Sequence, residues 1–272
     1  MNAGLPLGSC ESKTGKVIRV KTLFTLAALG ALTLTLSACE STESESARLG
    51  REGAKLIAGA GTVGLGGSNR AVHVGQVALV QGTGRTAAVV QLTNTAAGAQ
   101  SDVPVLIDVR SPAGASLYRN DIQGLEPSLQ QMPLLPAHAS AWWVDDQVLA
   151  AGKPAAVKVR IGDPKGSPPR GNTAGSSGSP GSPGVQVSAT SLGSDVAGPY
   201  LAGEVVNRSG VAQHNMPIFA VALRGGRIVA AGRALVPNLP ASGGKPTGFR
   251  IYLIGSPAGA HIELTPAPAM GA

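Results

Sequence analysis

The chain has 272 residues, a formal net charge of +7, 3% aromatic residues and two Cys among 38 Gly and 20 Pro. Two cysteines exclude a disulfide-stapled scaffold and a Cys-based zinc module. The basic residues beyond residue 39 are scattered singly with little aromatic interleaving, so no nucleic-acid footprint is present.

The first element is a leader. Lys13, Lys16, Arg19 and Lys21 form a basic stretch, and Thr22 to Ala38 is an uncharged run rich in Leu and Ala. Basic region, apolar region and small residues in that order are the parts of a secretory signal. The run is shorter than the ~20 residues of a spanning helix. The polar segment before it is long for a leader, and either Met1 or Val17 serves as the start. The run ends in Leu36-Ser37-Ala38-Cys39, which resembles the lipobox of bacterial lipoproteins. The resemblance implies cleavage between Ala38 and Cys39, acylation (diacylglyceryl, palmitate-type chains) of the Cys39 sulfur, and a position on the extracytoplasmic face of the cell membrane. The lipid bilayer is then the first partner, held by ~0.8 kcal/mol per buried methylene. Cys10 leaves with the leader, so the exported part has no free thiol and its core alone must hold the fold. Removing the leader's four basic residues and one acid lowers +7 to +4.

Residues 39–69 follow as a Glu-, Ser- and Gly-rich tether. Gly59, Gly61 and Gly64 match a dinucleotide fingerprint in letters, but LGGSNR cannot start the helix that this fingerprint requires.

A first module spans residues 70–161. Short β-type runs start at Val72, Ala87, Val103, Ala115, Ala139 and Ala155, with a turn at Ser111–Gly114. Val157, Val159 and Ile161 alternate with Lys158 and Arg160, the period of a half-buried strand. Trp142 and Trp143 are adjacent, so one ring points inward and the other outward. The outward ring is the binding candidate, with covering the sheet edge or the other module as the competing reading. Asp145 and Asp146 point to opposite faces and form no acid/base pair; a solvated strand end is expected there.

Residues 162–184 (GDPKGSPPRGNTAGSSGSPGSPG) cannot bury enough surface to fold and form a linker. A second module, residues 185–268, has runs starting at Val185, Tyr200, Met216, Arg227, Thr247 and Ala260, and a four-residue tail (269–272) ends the chain. Arg224-Gly225-Gly226-Arg227 reads as a hairpin turn. His214 and Met216 would share one strand face and offer a soft ligand pair for Cu(I). No other metal spacing, GxSxG elbow or cofactor motif occurs, so no cofactor is expected.

The two modules read as copies. Asn94 and Asn207 each end a strand, and Leu135-Pro136-Ala137 matches Leu239-Pro240-Ala241 before a strand with aromatics. The segment from Gly203–Asn207 (GEVVN) to Phe249–Tyr252 (FRIY) resembles FxLYD-type domains, small extracytoplasmic β-sandwiches. That family implies adhesion, scaffolding or ligand presentation and carries no defining catalytic residues. The expected fold is all-β, two tandem Ig-like β-sandwiches. The expected function is a non-enzymatic binding or scaffold protein at the bacterial cell surface, with an unidentified cell-envelope protein or polymer as partner. The alternative is a copper-handling lipoprotein.

Overall fold

The computed structural model describes residues 64–164, 184–241 and 245–269. The leader, Cys39, the tether up to residue 63 and most of the expected linker lie outside them.

The fold is all-β, as the alternation and turn chemistry predict. The N-terminal half contains β1 (Val72–Gly82), β2 (Arg85–Asn94), β3 (Gln100–Arg110), β4 (Ser116–Arg119), a 3-10 turn (Pro127–Leu129), β5 (Gln131–Leu135), β6 (Ser140–Asp145) and β7 (Ala156–Ile161). One sheet has the order β1-β2-β6; in the other, β3 is flanked by β7 on one edge and pairs with β4 and β5. The C-terminal half contains β8 (Val185–Asp195), β9 (Gly198–Asn207), β10 (Gln213–Arg224), β11 (Arg227–Leu239), β12 (Thr247–Tyr252), β13 (Ile254–Gly255) and β14 (His261–Pro266). Its sheets run β12-β9-β8 and β13-β11-β10-β14. All pairings are antiparallel, which short connections permit. The Arg224–Arg227 turn forms as expected: Gly225 and Gly226 take φ of 56° and 76°, which suits a two-residue hairpin.

Two inner sheets explain the continuous apolar runs. In β10, Met216, Ile218, Ala220 and Ala222 fill the core shared with β9 and β12, while Phe219 and Val221 belong to the core of the N-terminal half. In β2, Ala87 to Val90 are all fully buried, and so are Trp143 and Val144 of β6. A strand covered on one face alternates; a strand covered on both reads as an unbroken hydrophobic run. The outer strand β7 alternates instead, with Lys158 and Arg160 in water. The layers therefore succeed one another as β4/β5-β3-β7, β1-β2-β6, β13-β11-β10-β14 and β12-β9-β8, and the described residues fall within one compact unit. Among the described residues no helix is long and apolar enough to cross a membrane.

Candidate functional site at the junction of the halves

The internal repeat is visible in hydrogen bonds. Asn94 ends β2, and its amide donates to the carbonyls of Gly98 (2.9 Å), Leu135 (3.2 Å) and Pro136 (3.0 Å). Asn207 ends β9, and its amide donates to Val211 (2.8 Å), Leu239 (3.5 Å) and Pro240 (2.9 Å). Each Oδ1 accepts a backbone N–H two residues on, from Ala96 and from Ser209. Both side chains are buried, where an amide is stable only when its donors and acceptors are satisfied. Asp102 and Asn215, two residues after Gln100 and Gln213, both take a left-handed backbone with φ near 50°. Anchored on these corners, the registers align Val90 facing Trp143 with Gly203 facing Phe249, and Leu106 facing Arg160 with Phe219 facing Thr265.

β6 builds the junction. Its two Trp rings do point to opposite faces. Trp143, fully buried, lies in the N-terminal core and donates its Nε1–H to the carbonyl of Ser128 (2.8 Å). Trp142 points the other way, onto β14: its Nε1–H donates to Glu263 (2.6 Å) and its backbone N–H to Thr265 (3.2 Å). With only 5% of Trp142 exposed, the outward ring covers the other half rather than offering a free aromatic surface.

Asp145 and Asp146 correct the expectation of a solvated strand end. Asp145 is fully buried, accepting from the Tyr118 hydroxyl (2.8 Å) and the Gln147 N–H (2.9 Å). Burial raises its carboxyl to about 6, against the opposing effect of those hydrogen bonds. Burial also pushes the Tyr118 hydroxyl up, with the facing carboxylate adding to the shift. Asp146 faces the junction, 3.4 Å from Nε of Arg233 on β11. Arg233 also pairs with Glu126 and donates to Ser128 Oγ (2.6 Å), and its side chain is 5% exposed. Glu126 itself accepts from the Ser128 N–H and so fixes the turn that presents both partners. One guanidinium from the C-terminal half is thus clamped by three groups from the N-terminal half. A buried cation needs such compensation, because desolvation otherwise outweighs attraction.

A cleft of about 320 Å³ opens between β6 and β14. Gln91, Ser140, Trp142, His261, Glu263 and Thr265 provide its polar lining. Glu263 and Thr265 are committed to Trp142, and Ser140 to Thr93 (2.8 Å). The exposed His261 imidazole remains available at its rim. The chemistry suits hydrogen bonding to a neutral or weakly polar ligand.

His214 and Met216 are not brought together. Met216 is buried in the C-terminal core while His214 is exposed, and Asn215 between them takes φ 49°. That left-handed residue interrupts the extended repeat on which a shared face depends. Among the described residues no three His, Cys, Asp or Glu side chains converge. Cys39 and Ala38 lie outside the described residues. No family model matches the chain, and no curated protein matches it significantly.

Sequence reasoning missed Arg233, Glu126 and Ser128. Arg233 stands in a run, GRALVPN, that gives no sign of facing a second sheet. The one available signal was that β11 follows a strand apolar on both faces, so its own polar residues had to face a partner too.

Proposed function

We propose that the protein is a lipoprotein, anchored through acylated Cys39 on the extracytoplasmic side of a bacterial cell membrane, where it acts as a non-enzymatic binding or scaffold protein. The observation that carries the reading is Leu36-Ser37-Ala38-Cys39 at the end of an uncharged run preceded by four basic residues. The architecture is compatible with it. Exported proteins without disulfides depend on extensive packing, and here two sheets are buried on both faces. The FxLYD-like segment from Gly203 to Tyr252 points to the same class, since that family implies scaffolding or ligand presentation. Within this reading the cleft between β6 and β14 is the contact site for a cell-envelope protein or polymer, with the exposed His261 as the polar group at its rim.

The test is the intact mass of protein extracted from native membranes, beside a Cys39→Ser variant. Acyl chains on a chain beginning at Cys39, and loss of both acylation and processing in the variant, support the proposal. A mass that retains residues before Cys39 without lipid sinks it.

A further inference from the structure

The outer face of the sheet β4/β5-β3-β7 carries an open groove of about 610 Å³, lined by Leu106, Asp108, Arg110, Arg119, Asp121, Lys158 and Arg160, among others. Its two acids are each engaged: Asp108 with Arg110 (2.6 Å) and Asp121 with Arg119. Asp108 also accepts from Ser116 Oγ (2.6 Å). Burial works against its charge, but the bonds from Ser116 and Arg110 and the two nearby guanidiniums hold its carboxyl below the ordinary range. Lys158 and Arg160 are exposed and have no acidic partner among the described residues. The groove thus has four cations against two anions, with the surplus at its β7 edge.

The same positions of the repeat look different at the junction. Where Lys158 and Arg160 stand on β7, β14 has Glu263 and Thr265, the partners of Trp142. The outer copy has exchanged a neutral-to-acidic contact edge for a basic one.

The place where the chain enters the fold gives this face its orientation. Ser68 bridges to Gly162 at the end of β7, and Asn69 donates its N–H to the carbonyl of Ile161 (3.1 Å). Leu65 lies against Gly162, on the face that Pro104 also lines. Gly162 and Pro104 are each two residues from the groove residues Arg160 and Leu106, and side chains two apart share a face. The segment leading back to Cys39 therefore leaves from the groove's own end. About 25 residues separate Cys39 from Gly64. Such a chain spans at most about 85 Å, and about 28 Å on average as a flexible coil.

From these observations we infer that the groove face of β3, β4 and β7 docks onto anionic phospholipid headgroups of the membrane that holds Cys39. The inference rests on the lipoprotein reading above. Lys158 and Arg160 supply the attraction, since Arg110 and Arg119 are paired with Asp108 and Asp121. The anchor supplies the proximity, since a lipid chain and a basic patch act together as two membrane signals. Each cation near an anionic surface raises surface occupancy about 5-fold at modest salt, an effect that falls away within a Debye length. Docking of this kind holds the β12-β9-β8 sheet, at the other end of the layer order, away from the membrane and open to partners.

The test uses the acylated protein purified from membranes and reconstituted into phosphatidylcholine vesicles with or without phosphatidylglycerol. Acylation of exposed amines by a water-soluble reagent is then read at Lys158 and, as internal reference, at Lys245 of the other half. Docking predicts that labelling of Lys158 relative to Lys245 falls about 5-fold in the anionic vesicles and recovers at high salt. It also predicts that Arg160→Glu, which breaks no ion pair and keeps Lys158 as reporter, removes most of the protection. Equal labelling in both vesicles, on protein whose intact mass shows acylated Cys39, overturns the docking and leaves the lipoprotein reading standing. Absence of acyl chains in that mass overturns the anchor and the docking with it.

Discussion

The sheets β1-β2-β6 and β8-β9-β12 are the same sheet of the repeat in two settings. Both end on a buried Asn with the same set of carbonyl partners, and both place an aromatic inward, Trp143 in one and Phe249 in the other. Their outward faces differ. Trp142 and Val144 of β6 and Asp146 just after it face the C-terminal half, whereas the matching positions of β12 are Gly248, Arg250 and Tyr252. Arg250 lies over the Tyr200 ring at 4.2 Å, and the Tyr252 hydroxyl donates to Asp195 (2.9 Å), so this face carries exposed polar contacts of its own where β6 meets a second sheet. The halves therefore stack head to tail, each contributing a different sheet to the junction. Such a contact does not close on itself and would continue into a chain of copies unless the end faces were altered. Both end faces are altered: one is basic at Lys158 and Arg160, and the other lacks the Trp. Altered outer faces are how stacked repeats are capped.

The first way to break the comparison is to remove the clamp that only the junction has. Arg233→Ala leaves the largely covered Asp146 carboxylate, 11% exposed, without its cation, and we expect a loss of about 3 kcal/mol in urea-induced unfolding. A loss below about 1 kcal/mol would show that the two halves do not depend on this contact. Next in size, Asn94→Ala and Asn207→Ala each strand several buried carbonyls and should cost about 2–3 kcal/mol apiece. Equal losses sharpen the equivalence of the corners; a marked inequality means that one corner is supported by its surroundings and the repeat is only geometric.

Asp145 separates the two sheets by pH, because its counterpart on β12 is the buried Ile251. Its carboxyl is raised to about 6 in the fold, against an ordinary value of ~3.9 in the unfolded chain. The folded state therefore binds more protons between those values. The associated stability is fully present below about pH 4 and is lost as pH rises through about 6. Across that window the contribution is about 2–3 kcal/mol. Asp145→Asn keeps an acceptor for the Gln147 N–H and turns an NH2 toward the Tyr118 hydroxyl, which then accepts instead of donating, and it should remove this part of the slope when unfolding is followed from pH 4 to pH 8. An unchanged slope would show that Asp145 is charged throughout.

Much of the fold was legible because each half obeys one local code. The turn at Gly225-Gly226, the strand ends at Asn94 and Asn207 and the period-2 pattern of β7 all follow from residue chemistry that acts over a few positions. β5 was not legible: Gln131-Met132-Pro133 carries a proline that argues against a strand, yet β5 pairs only with β3, where a missing N–H is tolerated. The junction was not legible either, since its polar contacts join residues about a hundred positions apart, as in Arg233 with Glu126 and Trp142 with Glu263. The burial of Asp145 and the contact of Asp146 with Arg233 were missed for this reason. Alternation correctly gave their opposite directions, but only the second half of the chain decides that both directions lead into protein. The same fact moved Trp142 from a surface candidate to a junction residue.

The two Trp residues provide the smallest and most discriminating test. Each donates one indole N–H, Trp143 to a backbone carbonyl inside a single half and Trp142 to a carboxylate across the junction. Replacement by Phe keeps most of the apolar area and removes the donor. At Trp143 the Ser128 carbonyl loses its partner beside a fully buried ring, so about 2–3 kcal/mol should be lost, the cavity left by the smaller ring included. At Trp142 the Glu263 carboxylate borders an open cleft, where water replaces the lost donor, so the cost should be nearer 1 kcal/mol. A larger loss at Trp142 than at Trp143 would mean that the junction, rather than the cores of the halves, dominates stability. The halves would then be parts of one folding unit instead of two stacked copies.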